Sequence, residues 1–203
     1  MKAPETVFPF NPMETDKTGE TDLVSNGEFL RTVFGDNLAG VCPIVVSFTG
    51  NPTIVPSKAW FGSPWLGNTN MTENLPSDAN NYFSLAVFKP DEAGHYRRQK
   101  ARFHGLYSVM LDDVGSKVAT ERLTLPPSWM VETSPSNHQA GYLLREPLTD
   151  GPATDRLMDA IVAAGLCDPG ANGPRARLAR LPVAVNGKHS PPFACKMVVW
   201  SPE

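Results

Sequence analysis

Cysteine is scarce in this chain: Cys42, Cys167 and Cys195 lie far apart and show no paired ligand spacing. That argues against a zinc site and against a secreted disulfide framework, and it points to a cytosolic setting. Long apolar runs are missing as well. No stretch of about 18 apolar residues and no basic-then-apolar leader occurs, so neither a membrane span, a membrane partner nor a secretion signal is expected. The four histidines, His95, His104, His138 and His189, are scattered, which counts against a nuclease that needs a clustered metal-binding pair. No P-loop pattern is present, so any ATP-driven unwinding must come from elsewhere. Net charge is small too: 18 Lys and Arg against 21 Asp and Glu give −3, which counts mildly against nucleic-acid binding driven by bulk charge.

What is present is charge asymmetry. Residues 1–28 carry six acids and two lysines, a balance of −4, whereas 172–203 carry Arg175, Arg177, Arg180, Lys188 and Lys196 against Glu203 alone, a balance of +4. A second basic cluster, His95, Arg97, Arg98, Lys100 and Arg102, directly precedes an acidic strand. An anionic ligand can then meet positive charge on two sides of those carboxylates.

The polar, aperiodic stretch 1–26 reads as a flexible arm, and 27–203 as one domain large enough to bury a core without staples. Phe29, Leu30, Val33 and Phe34 have helical spacing, and Cys42–Phe48 is a β-branched run that predicts a strand. Gly, Pro, Asn and Ser interrupt Trp60, Phe61 and Trp65 between Gly50 and Ala79, the composition of a long connection pinned by its aromatics. Strands are predicted at Tyr82–Phe88 and Phe103–Asp112, with a short basic helix after Pro90 between them. Trp129–Thr133 and Ala140–Leu144 flank the turn residues SPSNHQ, placing His138 at the exit of a strand-turn-strand unit. Ala153–Leu166 has an amphipathic helical stripe, and Phe193–Trp200 closes the chain as a strand. The irregular mixture of elements predicts an α+β fold rather than a doubly wound sheet.

Three motifs carry possible chemistry. The strand FHGLYSVMLDDVGSK ends in Asp112 and Asp113, the kind of terminus that holds a divalent metal with substrate phosphates; its ordinary alternative is turn chemistry. Neighbouring strand residues leave opposite faces, so only one acid enters a site unless the strand is kinked, and parity favours Asp112. Ser136-Asn137-His138 offers small polar groups and an imidazole suited to a phosphate. Arg177, Arg180 and Lys188 surround a turn with Asn186, which suits phosphate clamping or, more plainly, an exposed ion-paired turn.

In this order, LDDVGSK, PPSWMVETSPSNHQAGYLL, DPG and RLARLPVAVNGK resemble the catalytic domain of archaeo-eukaryotic primases (AEP), the primase-polymerases, in their plasmid and phage replication-protein branch. The resemblance covers residues 80–200 and includes NNYFSLAVF as the opening strand. It implies an N-terminal α/β module, here 27–100, packed on an RRM-like module, here 101–203, with the active site in the cleft between. By position it implies metal ligands and catalytic acids at Asp112, Asp113 and Asp168, and nucleotide binding by Ser136, His138, Arg177, Arg180, Asn186 and Lys188. Arg97, Arg98, Lys100 and Arg102 would follow the DNA. Many relatives place the paired acids at alternate strand positions, whereas here they are adjacent and position 114 is Val.

The implied activity is template-directed primer synthesis on single-stranded DNA from NTP or dNTP during plasmid or phage replication, using Mg2+ or Mn2+, in the cytoplasm of a bacterial or phage-infected cell and with room for a replicative helicase as partner. Two other expectations compete: a catalytically silent nucleic-acid-binding module of a replication protein, and a replication-initiator nuclease.

Overall fold

The computed structural model describes residues 24–202 apart from 37, 68–70, 73 and 172. Most of the expected N-terminal arm therefore lies outside the described residues. Val24–Asn26 already belong to the fold: Val24 is buried, and Asn26 exchanges two hydrogen bonds of 2.9 Å with the backbone of Val183.

Helix α1, Asn26–Phe34, starts where the Ser25 hydroxyl accepts the N–H of Glu28 and stops at Gly35, which has a φ of 76°. The serine satisfies one of the four unpaired amides of a helix start, and the left-handed glycine ends the coil. Buried Phe29, Leu30, Val33 and Phe34 form its inner face.

Two antiparallel sheets receive that face. The first has the order β2-β1-β3-β8, with β1 Ile44–Phe48, β2 Ser63–Pro64, β3 Asn80–Ser84 and β8 Leu178–Arg180. The second runs β11-β6-β7-β5-β4, with β4 Ala86–Phe88, β5 Phe103–Val114, β6 Trp129–Ser134, β7 Asn137–Leu148 and β11 Lys196–Trp200. A two-stranded ribbon of β9 (Val185–Asn186) and β10 (Phe193–Ala194) sits beside them. Strand β4 follows β3 after one residue, Leu85, whose N–H donates to the Arg177 carbonyl and whose carbonyl accepts the Tyr107 N–H. One extended run thus crosses from sheet to sheet. Each sheet holds a strand from the far side of residue 100, β8 in the first and β4 in the second.

Phe29 fills the space between the sheets. Its ring centroid lies 5.1 Å from Phe83 on β3, 5.5 Å from Trp129 on β6 and 5.4 Å from Trp200 on β11. Helix α2, Gly151–Ala163, opens with the Asp150 carboxylate capping the Ala153 N–H at 3.1 Å and with a proline in its first turn. It packs Met158 with Leu111, Val114, Met130 and Ala140, a second core under the end of β5. The carboxylate-bearing strand end is therefore supported from both sides.

Two local expectations change. The segment after Pro90 is a turn closed by a Pro90–Tyr96 bridge, with a single 3-10 turn at Lys100–Arg102 instead of a basic helix. Asp91 explains it: its side chain accepts the N–H groups of Ala93 and His95, which favours a turn. In the long 50–79 connection Trp65 is fully buried, but Phe61 is 72% exposed and anchors nothing. Among the described residues no helix is long and apolar enough to cross a membrane.

Candidate active site

The end of β5 contains the kink that adjacent acids require. Leu111 pairs with Ala140 and Val114 with His138, so Asp112 and Asp113 together face Gln139 alone. This is a β-bulge. Asp113 adopts a φ of 60°, the left-handed region that Asp enters more readily than most residues. Both carboxylates consequently line one cleft. Beyond the bulge the Asp113 carbonyl accepts the N–H groups of Lys117 at 2.9 Å and Val118 at 3.0 Å, a turn that brings Lys117 back over the acids. Gly115 is required in it, because a Cβ there would collide with the Ser136 carbonyl.

The cleft has a volume of ≈ 770 Å³ and draws its walls from both sheets. Asp112 Oδ2 accepts from Arg177 Nη2 at 2.7 Å, and its Oδ1 accepts from Gln139 Nε2 at 3.2 Å. Asp113 Oδ1 accepts from Asn137 Nδ2 at 3.1 Å, and its Oδ2 lies 2.8 Å from Lys117 Nζ. The same ammonium donates to Asp168 Oδ1 at 2.9 Å. Asp168 is fixed by its Oδ2, which accepts the Gly170 N–H at 3.0 Å, and by its own N–H, 3.4 Å from the Asp112 carbonyl. Hydrogen bonding from Lys117 holds the Asp168 carboxyl below its ordinary value. Asp113 first, then Asp168, raise the Lys117 ammonium well above its own.

Among the described residues no three His, Cys, Asp or Glu side chains form a ready metal cage. Asp113 and Asp168 nevertheless already share one cation, the Lys117 ammonium. Two carboxylates open to a cleft are the donor set that magnesium uses when phosphates and water supply the rest, and manganese accepts the same oxygens. The residues present fit such an ion.

The opposite wall is built on Arg180, only 4% exposed. Its guanidinium donates to the Val185 carbonyl at 2.6 Å and to Asn186 Oδ1 at 2.8 Å, and lies 4.6 Å from the centre of the Tyr82 ring. Asn186 in turn donates to the Thr133 carbonyl at 2.8 Å. Arg180 and Asn186 thus spend their polar groups on the wall itself. Trp60 packs against Tyr82 at 5.2 Å, giving the cleft an aromatic side. Burial raises the Tyr82 phenol above its ordinary value, so it remains protonated.

Of the residues singled out in the sequence, Asp112, Asp113, Asp168, Arg98, Arg177, Arg180, Asn186 and Lys188 line this cleft. Ser136 and His138 do not. Strand β7 begins at Asn137, so His138 lies within the strand, and alternation turns it away while Asn137 and Gln139 face in. His138 Nδ1 lies 3.1 Å from the Val114 carbonyl. Ser136 occupies the exposed hairpin tip with a φ of 58°. Of the basic cluster, Arg98 alone reaches the cleft; Arg97 pairs with Asp91 at 3.5 Å and Arg102 with Glu92 at 3.0 Å, while Lys100 is exposed. The acids also differ from the parity expectation. Asp112 is engaged by Arg177 and Gln139, and Asp113 is the one joined to Asp168. Of the Ser136-Asn137-His138 motif it is Asn137 that faces the cleft, and the sequence reading assigned no site role to Lys117, Gln139, Trp60 or Tyr82. The i, i+4 spacing of Asp113 and Lys117 and the alternation of Asn137 with Gln139 were the signals available.

These features define an α+β domain with a curled antiparallel sheet and an acidic cleft faced by basic residues, whose fold is similar to that of solved primase domains. No family model and no curated protein matches the chain. Solved structures do. The AEP domain of the cyanophage S-2L primase-polymerase superposes with a TM-score of 0.59 at 14% identity, over 86% of this chain and 89% of that domain. Primase RepB' gives 0.57 at 13% identity over 88% of this chain and 57% of the longer RepB' chain. The RepB' catalytic domain, solved in complex with initiator DNA, gives 0.57 at 13% identity over 88% and 86% of the two chains.

Proposed function

We propose that this chain is a primase-polymerase catalytic domain that joins nucleotides on a single-stranded DNA template. The observation that carries the reading is the convergence of Asp113 and Asp168, from segments 55 residues apart in sequence, on one cation beside Asp112. The likeness to primase domains supports it at the level of fold. A magnesium or manganese ion held by Asp113 and Asp168 would supply Lewis acidity for an attacking 3′-hydroxyl and a departing pyrophosphate.

The chain's own residues do the positioning. Arg177 and Gln139 hold Asp112 beside the other two acids. Arg98 and Lys188 offer positive charge to an NTP or dNTP triphosphate or to template phosphates at the cleft. Arg180, Asn186 and the buried Tyr82 keep the wall rigid, and the half-buried Trp60 presents ring surface on which a base stacks.

A second reading has a specific observation behind it. All three carboxylates are already ion-paired, Asp112 with Arg177 and both Asp113 and Asp168 with Lys117, which suits a silent DNA-binding module. Incubation with single-stranded DNA, labelled nucleotide and Mn2+ separates the two. The proposal requires extension products from the wild type and none from Asp113→Asn or Asp168→Asn. DNA binding without products supports the silent module.

A further inference from the structure

Lys117 closes the LDDVGSK motif, and the resemblance to primases gives it no role, yet it occupies the centre of the acidic site. Its Nζ sits between Asp113 Oδ2 at 2.8 Å and Asp168 Oδ1 at 2.9 Å. The contrast in exposure is informative: the lysine side chain is 61% exposed, while those of the acids are 24% and 20% exposed. The acids are therefore built into the cleft, and the cation reaches them from solvent on a flexible stem.

Charge leaves this arrangement incomplete. Two carboxylates with one ammonium keep a net charge of −1, whereas a divalent ion in the ammonium's place would bring the pair of carboxylates to zero. A lysine is also a poor long-term occupant, because an exposed ion pair is weak and its four-carbon stem regains rotamer freedom on release. The turn that carries Lys117 is anchored independently of Nζ, by the backbone bonds from Lys117 and Val118 to the Asp113 carbonyl. Release of the ammonium therefore leaves the turn intact and keeps Nζ at the cleft, which Lys117 itself lines.

We propose that Lys117 is an exchangeable counter-ion: it holds Asp113 and Asp168 together in the nucleotide-free protein, yields them to a divalent cation, and passes its ammonium to the phosphates arriving with that cation. The inference rests on the metal-dependent reading above. It makes Lys117 a competitor of the metal when nucleotide is absent and a nucleotide-binding group once the metal is seated. A lysine with a purely structural role would produce only the loss of stability.

The test measures binding, with no turnover. Mn2+ affinity is read by electron paramagnetic resonance on nucleotide-free wild type, Lys117→Met, Lys117→Arg and Asp113→Asn. Affinity for a fluorescent dNTP is read by anisotropy in saturating Ca2+. Removal of the competing charge in Lys117→Met is expected to tighten Mn2+ roughly tenfold and to weaken the dNTP roughly tenfold, while Lys117→Arg stays near wild type in both. Manganese affinity in Lys117→Met equal to or below that of wild type, including no binding by either, overturns the exchange. Should Lys117→Met fail to fold, Lys117→Gln removes the same charge while retaining a hydrogen bond, and carries the same comparison. Asp113→Asn binding Mn2+ as well as wild type would instead remove the metal reading on which the exchange depends.

Discussion

The side-chain oxygen of Gln139 accepts the backbone N–H of Arg180 at 2.9 Å, while its amide nitrogen donates to Asp112 at 3.2 Å. Gln139 lies on β7 of the second sheet and Arg180 on β8 of the first. One neutral side chain therefore links the sheets at the cleft and fixes an acid with its other end. The amide is suited to this, because it is donor and acceptor at once and carries no charge to disturb the carboxylates.

Gln139→Leu is accordingly expected to do two things. The buried Arg180 N–H loses its partner, which costs about 1–3 kcal/mol in urea unfolding. Primer synthesis falls beyond what that loss explains at temperatures where the variant is folded, because Asp112 keeps only Arg177 as a side-chain partner.

Phe29 joins α1 to both sheets through Phe83, Trp129 and Trp200. Phe29→Ala is expected to lower stability by about 3–5 kcal/mol, read as an earlier urea midpoint. Nucleotide affinity measured well below that midpoint should remain, since Phe29 does not line the cleft.

Gly141 faces the indole of Trp129 so closely that a Cβ would overlap the ring. Gly141→Ala should destabilise the fold by at least about 1–3 kcal/mol, visible as a lower melting temperature. Trp129→Phe, which shrinks the ring, should recover part of the loss in the double variant.

The Asp168 carboxyl is lowered chiefly by its hydrogen bond from Lys117. A depressed carboxyl stabilises the folded state above the ordinary value of 3.8, and the contribution disappears as pH falls through the folded value. NMR titration of the Asp168 side chain should place its midpoint below 3.8 in the wild type and return it toward 3.8 in Lys117→Met. An unchanged midpoint in the variant would show that the ammonium does not reach Asp168 in solution.

Much of this architecture was legible in the sequence. The β-branched and aromatic runs of β1, β3 to β7 and β11 and the stripes of α1 and α2 follow the periods of strand and helix. The ordered motifs also led to Asp112, Asp113, Asp168 and the Arg177–Lys188 segment, which the fold gathers at one cleft. What was not legible depended on register. A strand taken to start at Ala140 instead of Asn137 leaves His138 free and hides Gln139. Simple alternation places Asp112 inward and Asp113 outward, and only the unpaired extra residue at the bulge brings both to one side. Lys117 was missed because its role comes from Asp168, which is distant in sequence and meets it through tertiary folding alone.

The most direct test of the nucleotidyl-transfer account is dinucleotide formation on single-stranded DNA by the wild type and by Asp113→Asn, with Mn2+ present and matched circular dichroism spectra. The account predicts a dinucleotide product released with pyrophosphate by the wild type and no product from the variant. Equal product from both, or none from a folded, DNA-bound wild type, would contradict it.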